Sequence, residues 1–166
     1  MTWFDFLLAT EHTSFAATMR GEHGGEWLFP IVETLHVICL AMVFGSIVMV
    51  DLRLVGVSSR DRAVSRLSSE VLPYTWTAFI CAAATGTLLF ISKAHVYFYN
   101  LQFQLKFLCI FLACVNMLVL HFGALRRVHE WDRSQPPPRA ARLAGALSIG
   151  LWVGVIFFGR WIGFTT

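Results

Sequence analysis

Residues 27–50 read WLFPIVETLHVICLAMVFGSIVMV, a run in which Glu33 and His36 are the only acidic or basic side chains. As a helix rising 1.5 Å per residue it measures about 36 Å, enough to cross a hydrocarbon layer of about 30 Å. A helix on the surface of a soluble domain keeps a polar face, and this run has none. The stretch therefore reads as a membrane span. Three further runs of similar character follow at 72–91, 103–125 and 143–164.

Composition agrees with the four runs. The chain has 166 residues, 57% of them hydrophobic and 14% charged, with a mean hydropathy of +0.64. Ordinary soluble domains are about 45–50% apolar and about 25% charged. A chain this long still exposes roughly 30% of its unfolded surface once folded, so the excess apolar surface cannot all be interior. Disorder, a disulfide scaffold and a soluble α/β enzyme are excluded on the same grounds. Cys39, Cys81, Cys109 and Cys114 all fall inside apolar stretches without a C-x-x-C pair, and read as small hydrophobes.

The basic residues set the orientation. Arg53, Arg60, Arg62 and Arg66 lie between the first and second spans, and Arg126, Arg127, Arg133, Arg139 and Arg142 between the third and fourth. The remaining four, Arg20, Lys93, Lys106 and Arg160, fall on the other side. The positive-inside rule puts the Arg-rich loops in the cytoplasm and both termini in the periplasm. No basic run is interleaved with aromatics, so no nucleic-acid partner is expected despite the net charge of +3. No basic n-region precedes a hydrophobic stretch before residue 27, so a cleaved signal peptide is not expected. The segment 2–21, TWFDFLLATEHTSFAATMRG, mixes aromatic and charged residues as an interfacial helix does. The fold expected is an all-α integral membrane protein of a bacterial inner membrane. It comprises an outer amphipathic segment at 1–26 and an antiparallel bundle of four transmembrane helices within 27–166.

An ionisable side chain at membrane depth costs roughly 2.5–3.5 kcal/mol on insertion scales, so each marks a candidate site. Measured from the middle of each span, His36 lies about 5 Å and Glu33 about 9 Å toward the outer side, with Arg160 at about 10 Å and Lys106 at about 14 Å. Four ionisable groups from three helices thus share the outer half of the bundle. They have a bland reading, in which Lys106 and Arg160 snorkel to the headgroups, Glu33 pairs with one of them and His36 bonds a neighbouring helix. They also have a sharper one. His36 is an axial ligand to a haem b, Lys106 and Arg160 bind its propionates, and Glu33 tunes the ligand or takes a proton.

The second axial position stays open. His121 lies about 9 Å to the inner side, a different level from His36, and His95 stands at the outer end of the second span. The choices are His36 with Lys106, His36 alone, or two haems with His121 holding the inner one. Asp51 is expected to pair with Arg53 or Arg126 at the inner helix end, and Asn116 to bond an adjacent helix. Trp76, Phe79 and Phe90 read as belt and core. On the fourth span, Gly150 with Gly154 and Gly159 with Gly163 each form G-x-x-x-G, which suits close packing within the chain, a homo-oligomer or a larger membrane complex. Gly45 and Gly86 serve the same end or leave room for a flat macrocycle.

The motifs ExxH at 33–36, DLRLVG at 51–56, TGTLLF at 85–90 and FQLK at 103–106, followed by Asn116 and His121, resemble the pattern of a bacterial family of short membrane proteins with no assigned function. The match runs from about Arg20 to Arg126. More distantly, the layout is similar to the four-helix membrane protoporphyrinogen oxidases of the HemJ type and to the membrane part of CopD-type copper proteins. The HemJ-type resemblance implies haem b, with its first-helix histidine at His36 and its third-helix lysine at Lys106. This chain carries DLRLVG where those enzymes have a basic, aromatic stretch. The CopD-type resemblance implies copper handling, without a Met-rich or paired-His motif here. The expected function is a haem-b-binding redox or electron-transfer protein working with a quinone or other redox partner. The rivals are a non-catalytic accessory subunit and a small metal- or proton-handling transporter using Glu33, His36 and Lys106.

Overall fold

The computed structural model describes residues 3–22, 24–59, 61–133 and 136–165, so Arg60 of the first Arg-rich loop lies outside it. Among the described residues every regular element is helical. Two short helices, α1 (Trp3–Glu11) and α2 (Ser14–Met19), precede α3 (Leu28–Val55) and α4 (Val64–Ser92). After these come α5 (Ala94–Tyr99), α6 (Leu101–Phe122), a 3-10 turn (Ala124–Arg127), α7 (Val128–Trp131) and α8 (Arg139–Thr165).

The four long apolar helices fall on the four runs read from the sequence. Each is long and apolar enough to cross a membrane. On the Arg-rich side three of them continue past the expected ends, because a helix stops at a cap and not at the first charge. In α3 the cap is Gly56, whose φ of +87° is the left-handed conformation that suits a residue without Cβ. The segment before residue 27 holds two helices in place of one. Thr13 divides them, its hydroxyl accepting from Ala16 N–H at 3.2 Å as the N-cap of α2.

Helix α3 packs along both α4 and α8, and α6 along α8. Val43, Ala78, Ala113, Trp152 and Val155, drawn from all four, make the central buried cluster. Most of the apolar surface nevertheless points outward. Only 6% to 22% of each helix's most apolar window is buried inside the protein. Such a surface is unfavourable in water.

The two ends are held by polar contacts that helix periodicity does not announce. At one end Arg20 Nη1 donates to the carbonyls of Glu11 and Ser92, both at 3.0 Å, while its Nε donates to Glu22 at 2.6 Å. One guanidinium thus ties the N-terminal helices to the last turn of α4. At the Arg-rich end Arg53 is fully buried. Its Nε donates to the Arg62 carbonyl at 2.8 Å and its Nη2 to the Asp132 carbonyl at 3.1 Å. The Asp132 carboxylate in turn accepts from the Ser65 N–H at 2.8 Å and the Ser65 hydroxyl at 2.6 Å. It caps α4 from a distance, where Ala63 offers no capping side chain.

The expected pairing of Asp51 with Arg53 or Arg126 is not formed among the described residues. Asp51 is buried, and its Oδ2 has no hydrogen-bond partner among the described residues. Two residues apart on a helix, Asp51 and Arg53 point to different faces. The expected interhelical bond of Asn116 is formed, its amide donating to the Ala144 carbonyl at 2.9 Å.

Candidate functional site

A cavity of about 560 Å³ opens among α3, α4, α6 and α8, with Lys93 and Tyr97 at the α4–α5 junction also on its wall. That volume falls in the range of small-molecule and cofactor sites, about 300–1,000 Å³. Four of the residues singled out in the sequence line it: Glu33, His36, Lys106 and Arg160.

His36 is the best-held of them. Its Nδ1 lies 2.9 Å from the Ala82 carbonyl and 3.1 Å from Thr85 Oγ1, both on α4. Thr85 gives its own proton to the Cys81 carbonyl at 2.8 Å, which leaves its oxygen free to accept. On the other side of the ring, Nε2 lies 3.4 Å from Lys106 Nζ. Gly86 makes room for the imidazole, since a Cβ there would stand 2.9 Å from His36 Cε1. The rise per residue puts Lys106 a full level above His36, yet the amine reaches it because the long stem runs along Gly159. A Cβ on Gly159 would meet the last stem atoms at 3.6 Å.

Aromatic rings form one wall. Phe90 and Tyr97 each lie within about 20° of parallel to Phe103, at centroid distances of 5.3 Å and 6.1 Å. Phe90, expected in the belt or core, is therefore a cavity residue. Outside the spans, burial first and then the charge of Glu33 push the Tyr97 phenol above its ordinary pKa, with a Ser92 hydrogen bond pulling the other way. Arg160 sits 5.6 Å from the Phe164 ring centroid in a cation–π contact.

The other candidates stand elsewhere. His121 is exposed on α6 beside Phe122 and does not line the cavity. His95 lies between Phe4 and Tyr99, ring to ring at 5.1 Å and 5.3 Å, and does not line it either. Among the described residues no three His, Cys, Asp or Glu side chains gather where they could hold a metal ion.

Residues 6–165 match a family model described as Family of unknown function (DUF6644). The chain belongs to that family. No curated protein and no solved structure matches it. No named homologue supports the resemblance of this DUF6644 chain to HemJ-type and CopD-type proteins, which rests on the sequence motifs alone. Those motifs supply part of what the sequence reading missed at the site. Thr85 and Gly86 open the TGTLLF run, and both touch the His36 ring. Lys93 and Tyr97 left no such mark, because a short helix after α4 turns them to the cavity.

The glycines of α8 divide by role in the DUF6644 chain. Gly154 faces Cys109 of α6, where a Cβ would stand 3.1 Å from the sulfur, and Gly159 lies under Lys106. Gly150 and Gly163 have nothing within 4 Å of an added Cβ, and the same holds for Gly45 on α3. The tightest approach on α8 is at Gly145, which the G-x-x-x-G reading passed over. A Cβ there would meet the Asp51 carbonyl oxygen at 2.9 Å.

Proposed function

We propose that this protein is a haem-b-binding membrane protein of the bacterial inner membrane, acting in electron transfer or haem handling with a quinone or other redox partner. In this reading the four long helices cross the bilayer as an antiparallel bundle. The termini and the N-terminal amphipathic helices lie on the periplasmic side. The outward apolar surface and the asymmetry of the basic loops support that placement.

One observation carries the cofactor assignment. His36 is hydrogen-bonded through Nδ1 to a backbone carbonyl, with Nε2 left toward the cavity and Lys106. Metal-ligating histidines are held in this way, the second nitrogen donating to a carbonyl or carboxylate that fixes tautomer and ring orientation. The rest of the cavity fits a flat, amphiphilic tetrapyrrole. Its volume is sufficient, its aromatic wall is near-planar, and Arg160 and Lys93 bring cations for carboxylates.

His36 would hold the iron, and Arg160, with Lys93 or Lys106, the propionates. Lys106 Nζ, 3.4 Å from Nε2, would have to leave that nitrogen for the iron to be held there. Haem supplies one-electron chemistry when bound, with a potential set by its ligands and burial. The protein's own residues would orient the imidazole through Ala82 and Thr85 and exclude water with the Phe90–Phe103–Tyr97 wall. His121, exposed on α6, has no part in this site.

The test is a visible spectrum of the protein purified in mild detergent from haem-replete cells. A Soret band that moves on dithionite reduction and is missing from a folded His36→Ala variant is the expected result. Colourless wild-type protein from the same cells overturns the reading. A second reading, an accessory subunit docked through α8, draws on the open surface at Gly150. Co-purification of a stable partner with colourless protein would favour it.

A further inference from the structure

The arginines at the Arg-rich end stand in two different surroundings. On the α3–α4 side Arg53 is fully buried with Nε and Nη2 on backbone carbonyls, and Arg62 and Arg66 both meet Glu70, at 3.5 Å and 2.9 Å. On the α6–α8 side Arg126, Arg127, Arg139 and Arg142 are all exposed, and among the described residues none has a carboxylate within ion-pair distance. The carboxylates of their own segment do not serve them. Asp132 is turned to Ser65, and Glu130, though exposed, stands beyond 4 Å from all four.

The four share one end of a helix pair. Helix α6 packs along α8, and the 3-10 turn that carries Arg126 and Arg127 packs against α8 as well. Ala141, between Arg139 and Arg142, is fully buried in a cluster against which Ala124, Leu125 and Val128 pack. Arg139 and Arg142 open α8, and no acidic residue stands in its first turn. A helix N-terminus carries positive partial charge, so these two cations are repelled by it as well as by each other, and an anion relieves both. The surface next to the arginines is apolar. Arg139, Leu143 and Leu147 follow one another four apart along one face of α8. Leu143, Leu147 and, on α6, Val119 and Phe122 are each more than half exposed.

We propose that Arg126, Arg127, Arg139 and Arg142 bind the headgroup of a cardiolipin-type lipid, a two-phosphate anionic phospholipid of the cytoplasmic leaflet, whose acyl chains lie on Val119, Phe122, Leu143 and Leu147. A guanidinium presents forked donors that match phosphate oxygens, and two pairs of arginines from two chain segments match two phosphates. Basic sites between transmembrane helices on the cytoplasmic side hold such headgroups. A free phosphate would answer the charge and leave the leucine stripe unused, whereas a lipid uses both. Bound there, it joins the turn after α6 to the start of α8 through its phosphates. The α3–α4 side, where Glu70 already answers Arg62 and Arg66, offers no equivalent. The proposal rests on the bilayer-spanning reading and does not depend on haem.

The experiment titrates the full chain in mild detergent with cardiolipin, phosphatidylcholine of the same acyl chains, or inorganic phosphate, and reads bound lipid by native mass spectrometry and melting temperature. Wild-type protein should bind cardiolipin well above phosphatidylcholine and rise in melting temperature with it, and inorganic phosphate should do neither. Each of Arg126→Gln, Arg127→Gln, Arg139→Gln and Arg142→Gln should lower cardiolipin affinity about fivefold. The double variant Arg62→Gln, Arg66→Gln should bind as the wild type does. Equal wild-type affinity for the two lipids overturns the proposal whatever the variants do, and so does inorganic phosphate that displaces bound cardiolipin. An equal loss in the Arg62, Arg66 variant also overturns it, as an effect of net charge alone. Release of the chain from membranes by alkaline carbonate overturns this proposal and the bilayer reading together. Colourless protein that holds cardiolipin upholds it while the haem reading fails.

Discussion

Lys106 Nζ stands 3.4 Å from His36 Nε2. A carbonyl oxygen can only accept, so the imidazole proton sits on Nδ1, facing Ala82, and Nε2 is left to accept from Lys106. The ring is thereby held as one tautomer with one orientation. Lys106→Met keeps the stem over Gly159 and deletes the donor. Under the haem reading, the variant should retain pigment through His36, bind it roughly 10–100-fold more weakly, and show displaced reduced-minus-oxidised bands. Haem titration and the difference spectrum measure this, and bands identical to wild type would remove Lys106 from the neighbourhood of the iron.

His121 provides the opposite control. It is exposed and outside the cavity, so His121→Ala should leave the haem-to-protein ratio unchanged while His36→Ala abolishes it. A pyridine haemochrome assay on both variants decides the matter. Halving of the ratio in His121→Ala would restore the two-haem arrangement.

How much of this was legible in the residues depends on what each contact is made from. The spans were legible because no polar face interrupts 27–50 or its three counterparts. Glu33, His36, Lys106 and Arg160 stood out because ionisable groups are costly in apolar runs, and they do share one cavity. The direction of His121 was not legible, since a helix apolar on all sides carries no periodic sign of which face is inside. Arg53 was read as a partner for a carboxylate, whereas its acceptors are the backbone carbonyls of Arg62 and Asp132, which every residue carries and no motif marks. Lys106 was placed by the rise of its backbone, which omits the length of its stem.

Gly86 tests how tightly the ring is seated. A methyl at this position stands 2.9 Å from His36 Cε1, so Gly86→Ala must push the imidazole or separate α3 from α4. Overpacking of this kind costs about 1–3 kcal/mol. The expected outcome is a lower melting temperature in detergent together with weaker pigment, while Gly45→Ala, with nothing within 4 Å, leaves both as they were.

Asp132 predicts a pH dependence. Burial works against its charge, but hydrogen bonds from the Ser65 hydroxyl and from the Ser65 and Val64 N–H groups, with His129 nearby, outweigh it and hold the carboxyl below its ordinary pKa. A carboxylate whose folded pKa is depressed contributes stability that is present above its unfolded pKa, about 3.9, and is lost as pH falls through the folded value. Melting temperature should therefore drop on acidification below about pH 4. In Asp132→Ala the curve should lie lower at neutral pH, by the loss of about 1 kcal/mol expected for a helix cap, and be flatter in acid. Equal acid sensitivity in both proteins would assign the loss to other carboxyls.

The glycines of α8 separate packing within the chain from docking onto another. At Gly145 an added Cβ meets the Asp51 carbonyl oxygen at 2.9 Å and Leu54 Cβ at 3.1 Å, so neither backbone nor core side chain can yield cheaply. Gly145→Ala should destabilise the protein by about 1–3 kcal/mol, visible as a lower melting temperature or poor recovery from detergent. Gly150 meets nothing within 4 Å, so Gly150→Leu should fold as well as the wild type. If α8 docks on a partner or a second copy through this face, Gly150→Leu instead weakens the complex seen by native mass spectrometry while the isolated chain keeps its melting temperature. A Gly150→Leu protein with unaltered assembly as well as unaltered stability leaves the open glycine with no docking role.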